Sequence, residues 1–338
     1  MIAVILIGGL GTRLRPLTVR TPKPLLPVLN RPFIEYQLSM LRSQGIKDVL
    51  LCSSYRAEDF RRALGNGRSL GLRLRYVEEK VPLGTGGAVK NAESLIKRSG
   101  TALVLNGDVL NTFDLRAFQR FHRARKALAT IALTEVMDPT HYGLVRTDKS
   151  GRIVQFIEKP SADEVVVPTI NAGAYLFEPA ALALIPPDQP YSLERGLFPE
   201  LLSARGFFGY RTESYWIDIG TVQNYLRVHL DMLGGRTNLE PRALKRSLDG
   251  GKVLIGAKTS IAAGVRFSGH VSIGGGCRIG PGAMLKDCVV LDGSVIGENA
   301  RIEGSVIGSR CRIGRQSAVV GAGAVAGGSR LEPYTRIG

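Results

Sequence analysis

The chain has 338 residues, 44% of them hydrophobic and 22% charged, with 41 Gly, 17 Pro and a formal net charge of +16. That is too long for one small module and too apolar for a disordered chain, so about two domains are expected. No run reaches the roughly 20 apolar residues of a spanning helix, and the apolar opening stops at Gly8-Gly9 with no basic segment before it. Neither a membrane span nor a secretory signal is read, and a cytoplasmic location is expected.

Up to Leu233, short apolar runs alternate with amphipathic stretches. In chain order the pattern predicts a strand at 2–7, a helix at 32–43, a strand at 48–52, a helix at 58–64, a strand at 72–77, a helix at 87–97 and a strand at 102–105. Strands separated by such helices imply β-α-β units and a parallel sheet. After a helix at 114–126 come strands at 128–134, 143–147, 153–158 and 170–177. The four cysteines, Cys52, Cys277, Cys288 and Cys311, form no C-x-x-C pair and are read as reduced, mostly buried residues rather than zinc ligands or disulfides.

From Leu254 onward a six-residue period takes over. Aliphatic or aromatic residues recur at Ile255, Ile261, Phe267, Ile273, Ile279, Leu285 and Leu291, and again at Ile313, Val319, Val325, Leu331 and Ile337. Between these runs the spacing slips through Ile296, Ile302 and Ile307. Neither a helix nor an ordinary strand yields a period of six, whereas a parallel β-helix does, each hexad forming one short face. The expected division is 1–233, a polar linker with a short connecting helix at 234–251, and a β-helix at 252–338.

Directly after the first strand comes Leu6-Ile7-Gly8-Gly9-Leu10-Gly11-Thr12-Arg13-Leu14-Arg15-Pro16-Leu17-Thr18. Three glycines in four residues let main-chain N–H groups approach an anion, and Arg13, Arg15 and Lys23 add three cations. This is neither the G-x-G-x-x-G dinucleotide fingerprint nor a Walker loop. Lys23 stands between Pro22 and Pro24, where regular helix is barred. Asp108 follows the run 102–105 and is expected at the carboxyl end of a central strand, where open α/β sheets bind ligands. Asp218 follows Trp216-Ile217. Asp114 and Asp138 read only as cap or turn residues.

The glycine loop with Pro22-Lys23-Pro24-Leu25-x-Pro27 resembles the signature of the sugar-1-phosphate nucleotidyltransferases. Five further segments agree in order: Pro82-Leu83-Gly84-Thr85-Gly86-Gly87-Ala88, Asn106-Gly107-Asp108, Glu158-Lys159-Pro160, Asn171-Ala172-Gly173 and Trp216-Ile217-Asp218-Ile219-Gly220-Thr221. The resemblance covers residues 1 to about 232, and the hexads resemble the left-handed β-helix appended to many members. It implies an α/β fold, a Rossmann-like nucleotidyltransferase domain with a mixed sheet, followed by an all-β left-handed parallel β-helix.

The implied reaction is attack by a sugar 1-phosphate oxygen on the α-phosphorus of a nucleoside triphosphate, with release of pyrophosphate. Such a transfer needs in-line positioning and charge neutralisation. By resemblance, Gly8, Gly9, Gly11 and Thr12 wrap the phosphates and Leu6 lies against the base, with Gly84, Thr85, Gly86 and Glu79 also on the nucleotide side. Arg13 and Lys23 are assigned to the α-phosphate and departing pyrophosphate, and Asp108 and Asp218 to Mg2+. Gly143, Glu158, Lys159 and Asn171 take the sugar phosphate, Lys159 meeting the phosphate and Glu158 and Asn171 the hydroxyls.

The set is most like mannose-1-phosphate guanylyltransferases with such a tail, which implies GTP and mannose 1-phosphate. Two departures stand against it: Gly107, where many of those have Ser, and Leu10, where they often have Phe. Thymidylyl-, uridylyl- and adenylyltransferases of glucose 1-phosphate and guanylyltransferases of heptose 1-phosphate share the loops and stay open. An acyl-transferring tail would need a histidine base, and His270 is the single histidine after residue 250. A non-catalytic regulatory relative would tend to lose the loop cations or carboxylates, yet Arg13, Lys23, Asp108 and Asp218 are all present. The β-helix is then read as an element of a homo-oligomer.

The charge divides unevenly. Residues 1–251 carry 34 Lys and Arg against 24 Asp and Glu, and residues 252–338 carry 11 against 5, so the excess is spread along both parts. With no nucleic-acid motif, a general attraction for anionic substrates is expected.

Overall fold

The computed structural model describes residues 1–97, 100–239, 245–248 and 251–338. The chain separates into two compact units, Met1–Gly9 with Gln37–Trp216 and Leu10–Tyr36 with Ile217–Gly338.

The first unit is built on a nine-stranded sheet. Its strands are β1 (Ile2–Leu6), β2 (Asp48–Ser53), β3 (Arg73–Glu78), β4 (Ala102–Asn106), β5 (Ala129–Glu135), β6 (Gly143–Thr147), β7 (Ile153–Glu158), β8 (Thr169–Phe177) and β9 (Phe207–Arg211). The order is β7-β6-β8-β4-β1-β2-β3, with β5 pairing β8 and β9. β4, β1, β2 and β3 run parallel, while β8 is antiparallel to β4, β5 and β6, which makes the sheet mixed. Ile2, Ala3, Val4 and Ile5 are all buried, the continuous apolar run of a strand covered on both faces. The helices include α1 (Phe33–Ser43), which enters this unit at Gln37, then α2 (Ala57–Leu64), α3 (Gly84–Asn91) and α4 (Leu115–Ala124). Asp114 caps α4, its Oδ1 accepting from the amides of Arg116 at 2.8 Å and Ala117 at 3.2 Å. Asp138 likewise accepts from the Thr140 amide at 3.0 Å. Both carboxylates are spent as the sequence pattern implied.

The second unit is a β-helix joined by the segment 10–36 and helix α5 (Val222–Gly234). Parallel pairing aligns three columns: Ile255, Ile273, Val290, Ile307 and Val325; Ile261, Ile279, Ile296, Ile313 and Leu331; Phe267, Leu285, Ile302, Val319 and Ile337. Val290, not Leu291, occupies the first column, so the slip in the hexads begins one step earlier than the sequence period indicated. The cause is a corner: two residues, Gly269 and His270, turn one coil where Asp287 alone turns the next. Gly269 and Asp287 both have positive φ, 65° and 43°.

A connecting helix at 234–251 is not what the described residues show. Lys245–Leu248 is a strand antiparallel to Gly251–Ile255, and residues 240–244 and 249–250 lie outside the described residues. All four cysteines are free and buried.

Segment 10–36 joins this unit because its backbone polar groups are satisfied there. Tyr225 donates its hydroxyl to the Pro27 carbonyl, Asn30 Nδ2 donates to the Ile273 carbonyl at 2.9 Å, and the Leu29 amide lies 3.5 Å from His229 Nδ1. His229 is 1% exposed, and burial pulls its pKa down to about 3, a backbone contact at Pro27 opposing. A folded state that refuses a proton is favoured above the ordinary histidine range and loses stability as pH falls from about 6.5 toward 3, at up to about 1.4 kcal/mol per pH unit. The prediction is that thermal melts between pH 7.5 and 5 show a steeper loss for the unaltered chain than for His229→Gln. Parallel losses would exclude His229 as the cause.

Candidate active site

In the first unit the strand order reverses at β1 and β4, and the crevice beyond such a reversal is where open α/β sheets take ligands. Leu6 pairs with Asn106 at the carboxyl ends of these strands. Gly8 and Gly9 follow one, Gly107 and Asp108 the other. A Cβ on Gly8 would come within 2.8 Å of Ser54 Oγ, whereas Gly9 faces open space with nothing within 4 Å. Gly107 lets the two strand ends close: its amide donates to the Leu6 carbonyl at 2.9 Å, and a Cβ there would lie 2.6 Å from that oxygen. The turn bearing half-buried Asp108 is held by buried Gln37, whose Nε2 donates to the carbonyls of Asn106 at 2.8 Å and Val109 at 2.6 Å.

Glu79 and residues 84–86, expected as a loop but forming the first turn of α3, lie on the same unit. Glu79 Oε2 accepts from the Leu83 amide at 2.8 Å; half-burial raises its pKa and that hydrogen bond opposes the rise. The amides of Gly86 and Gly87 are committed to the Tyr191 carbonyl at 2.8 and 3.0 Å. A Cβ on Gly86 would meet the Tyr191 ring at 2.8 Å, so this glycine is explained by packing. Thr85 Oγ1 donates to Glu194 Oε2 at 2.7 Å and accepts from the Leu193 amide at 2.9 Å. Of the three loop residues, Gly84 is the exposed one.

Antiparallel pairing of β6 with β7 sets Gly143 opposite Glu158, and a Cβ on Gly143 would approach Glu158 Oε2 at 3.1 Å. Burial, and next the negative charge of Glu194, hold Glu158 above the usual carboxylate range. Lys159 is exposed, with φ of 54°, its amide on the Tyr142 carbonyl at 3.0 Å. Asn171 donates to the Tyr175 hydroxyl at 2.9 Å and accepts from the Gly173 amide at 2.9 Å. Trp216 donates from its ring nitrogen to the Ala172 carbonyl at 3.0 Å.

The second unit carries Arg13 and Lys23. Gly11 has φ of 62°, the left-handed region that favours glycine, and its carbonyl accepts from Thr18 Oγ1 at 2.8 Å. Thr12 and Arg13 stand in the short turn Thr12–Leu14. Lys23 opens the turn Lys23–Leu25; its side chain is 7% exposed and its Nζ lies 3.5 Å from Asp218 Oδ1. Arg13 Nη2 lies 4.0 Å from Asp218 Oδ2. Asp218 Oδ1 also accepts from the Gly220 amide at 2.7 Å, and its carbonyl accepts from Asn224 Nδ2 at 2.9 Å. A nearly buried ammonium is tolerable only beside a counter-charge, and Asp218 provides it. Arg13 and Lys23 are thus brought together with Asp218, which lies 195 residues beyond Lys23 in the chain.

Gln37, Tyr191 and Glu194 were not read from the sequence. Gln37 stood as one polar residue in a helix, and Glu194 as one more charge after Ser192, whose hydroxyl caps the following turn by accepting from the Glu194 amide at 3.1 Å. That Ser was the one local signal.

A mixed sheet with a glycine-rich turn beyond β1, a Lys buried against an Asp and carboxylates at strand ends suits transfer to a phosphate. The chain belongs to the nucleotidyl transferase family, whose model matches residues 2–234, and residues 250–332 match the model of the GMPPB C-terminal domain. Among its relatives is the mannose-1-phosphate guanylyltransferase of Mycobacterium tuberculosis, 40% identical over 296 residues, 86% of this chain and 80% of that one. Another is the UTP–glucose-1-phosphate uridylyltransferase of Synechocystis, 32% identical and covering 89% of this chain and 86% of its own length. HddC from Yersinia pseudotuberculosis, solved in complex with GMP-PN, is similar in structure, with a TM-score of 0.59 and 29% identity over 68% of this chain and 97% of that one. Among the described residues no helix is long and apolar enough to cross a membrane, and no group of three or more His, Cys, Asp or Glu could hold a metal.

Replacing Gln37 by Met strips the donor from two carbonyls of the turn bearing Asp108. Each buried unpaired acceptor costs about 1–3 kcal/mol, so urea denaturation is expected to show a loss of roughly 2 kcal/mol or more. An unchanged midpoint would mean that other groups hold the turn.

Proposed function

We propose that the chain joins GTP and mannose 1-phosphate into GDP-mannose and pyrophosphate. The observation that carries this reading is Lys23, nearly buried beside Asp218 in the segment after the glycine loop, with Arg13 on the same carboxylate. The family to which the chain belongs and the names of its relatives support the same class. A phosphate oxygen of the sugar 1-phosphate attacks the α-phosphorus, the bond from that phosphorus to the β-phosphate's bridging oxygen breaks, and pyrophosphate leaves with the electron pair. Lys23 and Arg13 stabilise negative charge on the α-phosphate and the leaving group. Gly8, Gly9, Gly11 and Thr12 receive the phosphates, Leu6, Glu79 and the 84–86 loop the base.

On the sugar side, Lys159 takes the phosphate, and Glu158 and Asn171, with Gly143 leaving room, take hydroxyls. Asp108 and Asp218 are hard oxygen donors of the kind Mg2+ selects, and their half-burial fits a cation that keeps some water. Mg2+, when bound, neutralises triphosphate charge. We place the catalytic part at 1–233 and the β-helix at 252–338, and assign the latter to homo-oligomerisation. Exposed Tyr334 and Ile337 on the last coil support that assignment. A cytoplasmic enzyme acting on small molecules, without nucleic acid or membrane, completes the reading.

The uridylyltransferase relative makes UTP with glucose 1-phosphate the second reading. Pyrophosphate release measured for each NTP with each sugar 1-phosphate separates them. GTP with mannose 1-phosphate is expected to give the highest kcat/KM, by a factor of ten or more, and chelation of Mg2+ to abolish it. No release with this pair, or faster release with UTP and glucose 1-phosphate, would overturn the assignment. Asp108→Asn and Asp218→Asn are each expected to lower kcat at least a hundredfold.

A further inference from the structure

We infer that Glu194 is a positioning residue that holds Thr85, in the first turn of α3 on the nucleotide side, against the turn after residue 191. The inference rests on the functional reading above. Three contacts carry it. Thr85 and Ser192 both donate their hydroxyls to Glu194 Oε2 at 2.7 Å, so one carboxylate oxygen clamps the 84–86 loop to the turn after residue 191. The Leu193 amide donates back to Thr85 Oγ1 at 2.9 Å, which fixes the hydroxyl's proton toward Glu194. Thr85 therefore has both its donor and one acceptor position occupied within the protein.

Glu194→Gln keeps the shape and one oxygen acceptor but removes the charge. With the substrate pair that the unaltered chain turns over fastest, it is expected to raise KM for the NTP about tenfold with kcat within about threefold. Thr85→Ser, which keeps the hydroxyl, should stay within about threefold of the unaltered chain in kcat/KM for the NTP, while Thr85→Val should fall at least tenfold. In the Glu194→Gln background the Thr85→Val loss should shrink, as expected for partners in one contact.

A Glu194→Gln variant with kcat and KM for the NTP equal to those of the unaltered chain would overturn the inference alone. If Glu194→Gln fails to fold, the Thr85 pair decides: equal kcat/KM for Thr85→Ser and Thr85→Val sinks it. Absence of turnover by the unaltered chain with every pair would sink the functional reading, and this inference with it.

Discussion

A lysine whose side chain is almost wholly removed from water must be paid for by a fixed counter-charge, and here Lys23 has Asp218. Much of the second unit's local structure serves that pairing. Pro22 and Pro24 deny the segment a regular helix and leave Lys23 at the head of a three-residue turn. Gly220 gives its amide to Asp218 Oδ1, and any Cβ there would crowd both carboxylate oxygens at 2.9 Å. Asn224, in the first turn of α5, holds the Asp218 carbonyl. In the proposed reaction the cation would be in place before the phosphate arrives, so that little reorganisation is needed when charge develops during transfer.

The first unit solves a different problem, that of bringing uncharged backbone to the end of a buried sheet. β1 and β4 approach so closely beyond Leu6 and Asn106 that residue 107 has no room for a side chain. The Gly that departs from the pattern of the resembling enzymes is thus matched to this chain's own strand ends. Gln37 anchors the same turn from α1, so Asp108 stands on a support made of backbone and one buried amide. At the end of β7, Glu158 is held above its usual range by burial and next by the charge of Glu194.

The parts of this molecule that were legible in the sequence are those written in local period and local chemistry. The hexads announced a β-helix because no other regular structure repeats every six residues. Asp114 and Asp138 read as caps and are caps. Leu291 was taken for a column residue because its spacing from Leu285 is six, but a one-residue corner at Asp287 passes that place to Val290. Corner length depends on the neighbouring coil, which the period does not encode. Within the linker expected at 234–251, residues 245–248 form a strand paired with the first coil, an outcome set by a tertiary partner, while 240–244 and 249–250 lie outside the described residues. Gln37 and Glu194 escaped notice for the same reason: their partners lie 69 to 109 residues away. Lys23 and Asp218, 195 residues apart, were each named as site residues through motif resemblance, one for phosphate and one for Mg2+, and their pairing with each other was not legible.

The most direct test of the role given to Lys23 is the reaction run backward. GDP-mannose, pyrophosphate and Mg2+ are supplied to the unaltered chain and to Lys23→Met, with the fold of the variant verified by its circular dichroism, and formation of GTP and mannose 1-phosphate is followed. The expected result is GTP formation by the unaltered chain and a rate at least a hundredfold lower for the variant, on the order of 3 kcal/mol of lost transition-state stabilisation. GTP formation at equal rates in the two would contradict the assignment of Lys23 to the transferring phosphate.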